Sequence, residues 1–282
     1  MKQLMTLLAC LGWSVCNTIA EPVKVITFNL RYMNSGDKEA RSWANRRDAA
    51  AGLISREEAD FACLQEALRP MLDDVKARVP GYGELGVGRD DGKEKGEYSA
   101  ILYCEANWTV EESGTFWLSD TPTVVGSRSW GNNIPRICTW GRFKNKSSGR
   151  VLHVFNAHFD HESQPAREKA AALVVQRLAA LGADKPVIFT GDLNATPNNP
   201  TIRTLTQGPP PLVDAWQTLH PTLPATESGS VHSFTGKLDG GRIDYIFATT
   251  AFTPLTAEIL HDSKDGNYPS DHFPVRATLE WK

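Results

Sequence analysis

Short apolar runs rich in β-branched residues recur along the chain, separated by polar segments that contain glycine and proline. Such runs predict strands buried on at least one face. Helices are predicted over Arg46–Arg56, Met71–Val79 and Arg167–Leu181. The predicted strands are Val23–Asn29, Asp60–Gln65, Glu97–Cys104, Asn107–Phe116, Arg136–Phe143, Val151–His158, Pro186–Thr190, Arg242–Ala248 and Pro274–Glu280.

The order of these elements indicates the fold class. Strands alternate with helices early in the chain and follow one another directly later on. We therefore expect Glu97–Cys104 to pair with Asn107–Phe116, and Arg136–Phe143 to form a hairpin with Val151–His158. The pattern predicts an α/β fold with two sheets and outer helices, rather than a simple Rossmann fold. Residues 118–135 and 207–230 are expected to be mostly loop, and residues 21–282 to form one domain.

Residues 1–20 differ from the rest of the chain. Lys2 carries their only charge, the run Leu4–Val15 is mostly apolar, and Ala20 precedes Glu21. This layout predicts a secretory signal peptide cleaved after Ala20, and hence a secreted or periplasmic protein. A buried N-terminal helix is the alternative. A lipid anchor at Cys10 ranks lower, because the apolar run continues past that residue.

Composition narrows the class further. The 282 residues are 41% hydrophobic and 22% charged, which excludes a disordered, collagen-like or coiled-coil protein. The net charge of −3 argues against a general nucleic-acid binder, and the charges of the loop Arg89–Lys95 balance. No segment after residue 20 is apolar enough over sufficient length to predict a membrane span. We expect a monomer.

Cleavage after Ala20 leaves Cys63, Cys104 and Cys138. An odd number of cysteines excludes complete pairing, and their spacing matches no zinc pattern. We expect buried, unreactive thiols. One disulfide in an oxidising compartment stays open as the alternative.

Polar residues able to do chemistry stand where the predicted apolar strands end. Loops at strand ends are where α/β enzymes build their sites. Spacings of two place both members of the pairs Asn156/His158 and Asp192/Asn194 on one face of a continuing strand. The strand-end residues are Asn29, Glu66, Asn156, His158, Asp192, Asn194, Asp244, Asp271 and His272.

The segments that hold these residues resemble the endonuclease/exonuclease/phosphatase superfamily, which includes deoxyribonuclease I. The resemblance lies in the ordered set, above all in Gly191–Asn194 and Ser270–His272, and it extends over nearly the whole chain. Three further segments resemble a secreted or periplasmic bacterial branch: Gly88–Gly92, Phe116–Ser119 and Arg136–Trp140. The resemblance implies a four-layer α/β sandwich of two mixed, mostly antiparallel sheets, a divalent metal ion and phosphoester hydrolysis.

The residue types suit such a metal. Mg²⁺ takes oxygen ligands and keeps several waters, so one or two carboxylates suffice. We expect Mg²⁺ or Mn²⁺ bound by Glu66, with Asn29 beside it and Asp271 as a further ligand. The lack of a cysteine- or histidine-rich cluster argues against zinc. The alternatives are that Glu66 begins the next helix and that Asp271 only caps the backbone.

Phosphoester hydrolysis also needs an activated water and support for charge on the phosphoryl oxygens. His272 is expected to act as the general base or as an imidazolium bound to phosphate, with its ring oriented by Asp244. Asp192 is expected to position or deprotonate the attacking water. The division of this work between Asp192 and His272 stays open.

The remaining candidates contact substrate. Asn156 and Asn194 are expected to donate hydrogen bonds to non-bridging phosphate oxygens. The resemblance implies that His158 contacts the phosphate or protonates the leaving oxygen. Arg31 and Arg136 are candidates for phosphate binding through their guanidinium groups, with a plain ion pair as the alternative for each.

These features predict a secreted, metal-dependent phosphoesterase, with phosphodiesters favoured over phosphomonoesters. The substrate classes left open are small molecules, glycan phosphates, lipid headgroups and nucleic acid. One alternative is a non-specific extracellular nuclease, which would show salt-sensitive DNA binding. The alternative of another class is a catalytically silent module that binds phosphate or sugar in the same cleft.

Overall fold

The fold was examined in a computed structural model that describes residues 21–282. The predicted signal peptide, residues 1–20, lies outside the described residues. The five α-helices of the described part are α1 (Trp43–Glu57), α2 (Arg69–Arg78), α3 (Gln164–Leu181), α4 (Pro200–Gln207) and α5 (Ala215–Leu219).

The strands form two sheets of six. One sheet has the order β11-β12-β1-β2-β4-β3 and the other β5-β6-β7-β8-β10-β9. The strands are β1 (Val23–Asn29), β2 (Phe61–Ala67), β3 (Tyr82–Leu85), β4 (Tyr98–Cys104), β5 (Trp108–Trp117), β6 (Ile137–Asn145), β7 (Val151–His158), β8 (Val187–Asp192), β9 (Val213–Asp214), β10 (Asp244–Ala248), β11 (Phe252–Ile259) and β12 (Val275–Trp281).

The two sheets have matching designs. In each, one central pair is parallel, β1 with β2 and β7 with β8, and the remaining pairs are antiparallel. The core between the sheets contains residues such as Phe61, Phe143 and Ile188. A second cluster packs α1 and α2 on the first sheet, and a third packs α3 and α4 on the second. The predicted four-layer sandwich is confirmed.

One predicted pairing is wrong. The strands β4 and β5 do not pair, because β4 lies between β2 and β3 whereas β5 pairs with β6 in the other sheet. The three residues 105–107 carry the chain from one sheet to the other. Trp108 then donates its indole N–H to Asp60 at 2.8 Å, which ties the start of β5 to the first sheet.

Several elements were not predicted. Strands β3, β9 and β11 and helices α4 and α5 lie in segments that are short or interrupted by proline. Pro254 stands within β11, which is tolerated because β11 is an edge strand. The predicted loop 207–230 therefore contains β9 and α5.

The cysteines follow the prediction of unpaired thiols. Within the described residues, Cys63, Cys104 and Cys138 are all free. Cys63 and Cys138 are buried, and burial raises the pKa of Cys63 to about 12. No helix in residues 21–282 has the length and apolar character needed to span a membrane.

Candidate active site

Strand ends from both sheets meet at one edge of the sandwich. In the second sheet, Asp192 at the end of β8 stands opposite His158 of β7 on one side and Asp244 of β10 on the other. Asn29 and Glu66 come from the parallel strands β1 and β2 of the first sheet. The pattern of apolar runs ending in polar residues thus places side chains from distant parts of the sequence together.

Glu66 and Asp192 bring carboxylates from the two sheets to a shared partner. The side-chain nitrogen of Asn29 donates to Glu66 at 3.0 Å and to Asp192 at 2.9 Å. The backbone N–H of Tyr32 holds the second oxygen of Glu66 at 2.9 Å. Glu66 has a φ of 58°, in the left-handed region, at an irregularity in the pairing of β2 with β4. Such strain in a non-glycine residue is found at functional sites.

Ligand-type atoms of Glu66, His158 and Asp192 lie within 4.8 Å of one another and form a candidate metal group. Two carboxylates with waters satisfy the preference of Mg²⁺ or Mn²⁺ for oxygen, so the residues present fit such an ion. Asp192, Asp244 and His272 form a second group of this kind. Because Asp192 belongs to both groups, a cation held by Asp192 would have both His158 and His272 nearby.

Two residues predicted among the metal ligands have other contacts in the structure. Asn29 presents its nitrogen to the carboxylates, because its side-chain oxygen accepts the backbone N–H of Arg31 at 2.8 Å. It therefore orients Glu66 and Asp192 and offers no oxygen to a cation in this arrangement. Asp271 belongs to neither candidate group, and its carboxylate lies 3.8 Å from Arg31.

His272 and Asp244 form a buried pair. The Nδ1 atom of His272 lies 2.8 Å from Asp244, which also accepts the hydroxyl of Ser230 at 2.6 Å. Burial alone lowers the pKa of an imidazole, but Asp244 and Asp192 outweigh it and raise the pKa of His272 well above its ordinary value. The ring is therefore charged at neutral pH in the metal-free protein.

Asp192 occupies the centre of the site. It is 2% exposed, and its carboxylate lies 3.5 Å from His158 Nε2 and 3.9 Å from His272 Nε2. Burial, followed by the charge of Asp244, raises the pKa of Asp192 to about 7. The preceding Gly191 has a φ of 150°, and a Cβ there would lie 2.0 Å from the carbonyl oxygen of Ala157. Only glycine lets β7 and β8 approach this closely.

His158 has different surroundings. Its Nε2 atom lies 3.1 Å from the side-chain nitrogen of Asn194, which also donates to the carbonyl of Phe159 at 3.1 Å. Since that nitrogen is a donor, Nε2 is assigned as the acceptor, and the ring proton then belongs on Nδ1. Burial, followed by the charges of Arg136 and Arg89, lowers the pKa of His158 well below its ordinary value. The ring is neutral at neutral pH.

Sequence reasoning missed the residues that contact the other side of His158. Glu97 places its carboxylate 3.8 Å from His158 Nδ1, and Arg89 holds that carboxylate with two bonds of 2.7 and 2.8 Å. Both come from the glycine-containing loop 86–97. No signal in the sequence beyond the resemblance of Gly88–Gly92 pointed to them, because the pairing of Arg89 with Glu97 arises only on folding.

The prediction for Asn156 is wrong. Its side chain is fully buried beneath the site and donates both hydrogens to backbone carbonyls, of Leu64 at 2.9 Å and Ala100 at 2.8 Å. Its oxygen accepts Gln65 at 2.7 Å. Asn156 has no donor left for a phosphate, and it instead connects the second sheet to the first.

A cavity of about 500 Å³ opens above these groups, and Arg31 and Arg136 both line it. Arg31 also pairs with Asp37 at 3.0 Å, while Arg136 contacts Asp160 at 3.4 Å and His161 at 2.8 Å. One nitrogen of the buried Arg136, Nη1, has no partner. Cavities of about 760 and 730 Å³ lie elsewhere and contain none of the strand-end residues, so converging chemistry rather than size identifies the site.

Comparison with known proteins agrees with this geometry. The profile described as the Endonuclease/Exonuclease/phosphatase family matches residues 26–272. The chain belongs to this family. The family predicted from the strand-end motifs is therefore confirmed, and its members are phosphoester hydrolases that typically depend on a divalent metal.

Similar solved structures include proteins from two Bacteroides species. A protein from Bacteroides vulgatus is 32% identical with a TM-score of 0.85, and the match covers 93% of this chain and all of that one. A mannosyl-6-phosphatase of Bacteroides thetaiotaomicron is 34% identical with a TM-score of 0.83, over 92% of this chain and all of that one. An uncharacterized protein of Acanthamoeba polyphaga mimivirus is 25% identical over 92% of this chain and its own full length.

Proposed function

We propose that the protein is a metal-dependent phosphoesterase that acts on small molecules, with Glu66 and Asp192 holding Mg²⁺ or Mn²⁺. The observation that carries this proposal is the position of Asp192. It shares Asn29 with Glu66 on one side and lies next to the charged His272 on the other. A bound divalent ion supplies positive charge to the phosphoryl oxygens and lowers the pKa of a coordinated water.

The protein's own residues have separate tasks in this proposal. His272, kept charged by Asp244, donates a hydrogen bond to the phosphate. Asp192, at the centre of the site between His158 and His272, orients the attacking water and accepts its proton. Asn194 holds His158, and Arg136 directs its unpartnered nitrogen to a phosphate oxygen. This division favours the imidazolium role of His272 over the role of general base.

Two substrate classes are candidates. The sequence-based prediction favours a phosphodiester. A sugar phosphomonoester is the second candidate, because the chain is 34% identical to a mannosyl-6-phosphatase over 92% of its length. The moderate size of the cavity suits either class of small molecule. We further propose that the protein is exported, on the N-terminal sequence alone; the mass of the protein recovered from its native host would test cleavage after Ala20.

The test is turnover of bis-p-nitrophenyl phosphate, p-nitrophenyl phosphate and mannose 6-phosphate with Mg²⁺, Mn²⁺ or EDTA. We expect turnover that requires metal and is lost in Asp192→Ala, and the ratio of diester to monoester rates selects the class. Salt-sensitive nicking of plasmid DNA as the dominant activity would favour the nuclease. Tight phosphate or sugar binding without turnover on any substrate would favour a silent binding module.

A further inference from the structure

Arg46 of α1 is the largest fully buried side chain of the described residues, with 1% of its surface exposed. It donates four hydrogen bonds, all to backbone carbonyls: Arg41 at 2.6 Å, Leu30 at 2.7 Å, Pro269 at 2.8 Å and Arg31 at 2.9 Å. A buried charge is costly unless every donor is satisfied. Packing alone therefore does not explain why an arginine is buried here.

Three of the four carbonyls that Arg46 binds belong to two segments of the active site. Leu30 and Arg31 directly follow Asn29, whereas Pro269 precedes the segment of Asp271 and His272. Arg46 and Pro269 are themselves 223 positions apart in the sequence. A second bond joins them, from the hydroxyl of Ser270 to the carbonyl of Asn29 at 2.6 Å. One guanidinium thus fixes the segment beside the metal group against the segment that bears His272.

The contact at Arg31 reaches the candidate ligands directly. Arg31 has a left-handed φ of 53°, which is unfavourable for a side chain of its size. In that conformation its carbonyl accepts Arg46 and its N–H donates to the Asn29 oxygen. That bond turns the Asn29 nitrogen toward Glu66 and Asp192. The next N–H, of Tyr32, holds Glu66 itself.

Aromatic rings cover the guanidinium on its remaining sides. Its carbon lies 5.4 Å from the ring of Trp43 and 5.5 Å from the ring of Phe234. The loop of Phe234 also approaches the catalytic segment, because the N–H groups of His232 and Ser233 donate to the carbonyl of Asp271. Burial lowers the pKa of Arg46 to about 10, so it stays charged at neutral pH.

We infer that Arg46 is a positioning residue for catalysis, which fixes the Asn29–Glu66 side of the site relative to the His272 side. This inference rests on the proposed phosphoesterase function for its kinetic consequence. Lysine cannot replace the arginine, because one ammonium cannot span carbonyls that a planar guanidinium reaches from three nitrogens. Misplacement of catalytic groups by about 1 Å costs about 10²-fold in rate.

The experiment compares Arg46→Lys with Arg47→Lys, which alters the next residue of the same helix, a half-exposed arginine paired with Asp74 at 3.3 Å. Amide hydrogen exchange by mass spectrometry is measured alongside kcat and KM. In Arg46→Lys we expect faster exchange at residues 30–32 and 270–273, unchanged exchange in β7 and β8, and kcat lowered at least tenfold. Arg47→Lys should match the wild type in all three.

A merely structural role predicts something else: uniform loss of protection with kcat falling only as folded protein is lost. That result would overturn the inference, as would exchange and kcat within twofold of wild type. If Arg46→Lys does not fold, Phe234→Ala removes one covering ring while keeping all four carbonyl bonds, and should give the same local changes at smaller size. The wild type could also show no metal-dependent turnover while Arg46→Lys still changes exchange locally. That result would keep Arg46 as the residue that positions the two segments, and it would refute the proposed function.

Discussion

His272 and His158 stand on opposite sides of Asp192 and are almost equally buried, yet their surroundings act in opposite directions. His272 has a carboxylate 2.8 Å from Nδ1, and its pKa is raised well above the ordinary value despite burial. On the Nδ1 side of His158, the carboxylate of Glu97 lies 3.8 Å away and is already bound by Arg89. Burial and nearby arginines lower the pKa of His158. Burial thus does not decide the charge of a histidine; the availability of a partner does.

The same comparison assigns different work to the two sides. In the proposed mechanism, the His272 side supplies a positive charge for an anionic phosphate. The His158 side supplies a neutral ring that contacts Asn194 and faces the cavity. Asp192 lies between them, and its raised pKa reflects burial and the negative charge of Asp244.

The largest effect should come from removing the residue that both sides share. Asp192→Ala is expected to lower kcat/KM by about 10³-fold or more, because it removes a candidate ligand and the group that positions water. Steady-state kinetics at saturating metal measure this, with circular dichroism to confirm folding. A folded variant with nearly wild-type rates would refute the central role of Asp192.

Removing the charged ring of His272 should lower kcat/KM more than removing the neutral ring of His158. We expect His272→Ala to lower kcat/KM by about 10³-fold and His158→Ala by only about 10–10²-fold, since the charge on His272 opposes the phosphate directly. Parallel kinetics on one substrate compare them. Equal losses, or a greater loss for His158→Ala, would contradict the assignment.

A substitution at Asp244 isolates the origin of that charge. Asp244→Asn keeps the shape but removes the carboxylate, so the pKa of His272 should fall and kcat/KM should drop by about 10²-fold. Nuclear magnetic resonance titration of the histidine rings in metal-free protein measures the pKa. The matched variant on the other side, Glu97→Gln, should leave the pKa of His272 unchanged. An unshifted His272 in Asp244→Asn would exclude Asp244 as the cause.

A smaller effect is expected at the metal group. Glu66→Ala should raise the Mg²⁺ or Mn²⁺ concentration for half-maximal activity by about tenfold or more, because one of two oxygen-bearing ligands is lost. Titration of activity with each metal checks this. Asp271→Asn serves as the control and should leave the titration unchanged, since Asp271 faces Arg31. A shift in the control alone would return Asp271 to the ligand set.

The smallest expected effects are pH-dependent changes in the free energy of unfolding of the metal-free protein. The raised pKa of His272 stabilises the fold below the ordinary value of about 6.5, and this contribution is lost as pH rises through the folded pKa. The lowered pKa of His158 has the opposite sign, so stability falls as pH drops below about 6.5. Urea unfolding should therefore show that His272→Gln destabilises most in acid. His158→Gln should weaken the acid loss, and the reverse order would contradict both assignments.

Much of the site was predictable from the sequence, because polar residues stand where apolar strand segments end. Asp192, Asp244 and His272 follow or begin apolar segments. The register of the second sheet places Asp192 opposite Asp244, and His272 reaches both from the segment that precedes β12 of the first sheet. How deeply each strand residue is buried was not predictable from the sequence. Asn156 and His158 share a face of β7, but Asn156 lies two residues deeper, where the first sheet covers it.

Other contacts depend on pairing across long sequence distances. Glu97 was predicted only as the first residue of a strand, and its place beside His158 arises on folding. The sequence predicts Arg46 only as a residue of a helix. Folding brings Pro269 next to it and so supplies the second segment that it binds. The pairing of β4 with β5 was predicted wrongly for a related reason. A short connection in the sequence does not show whether the next strand pairs in the same sheet or begins the other one.

The buried amide of Asn156 has a mechanical consequence. Sheets that touch only through apolar side chains resist sliding weakly, because dispersion contacts have no preferred direction. Hydrogen bonds are directional, and those from Asn156 to Leu64 and Ala100 oppose shear between the layers. They act just below Glu66, which belongs to one layer, while Asp192 belongs to the other. These hydrogen bonds therefore restrain shear between the sheets close to the level that sets the spacing of the two carboxylates.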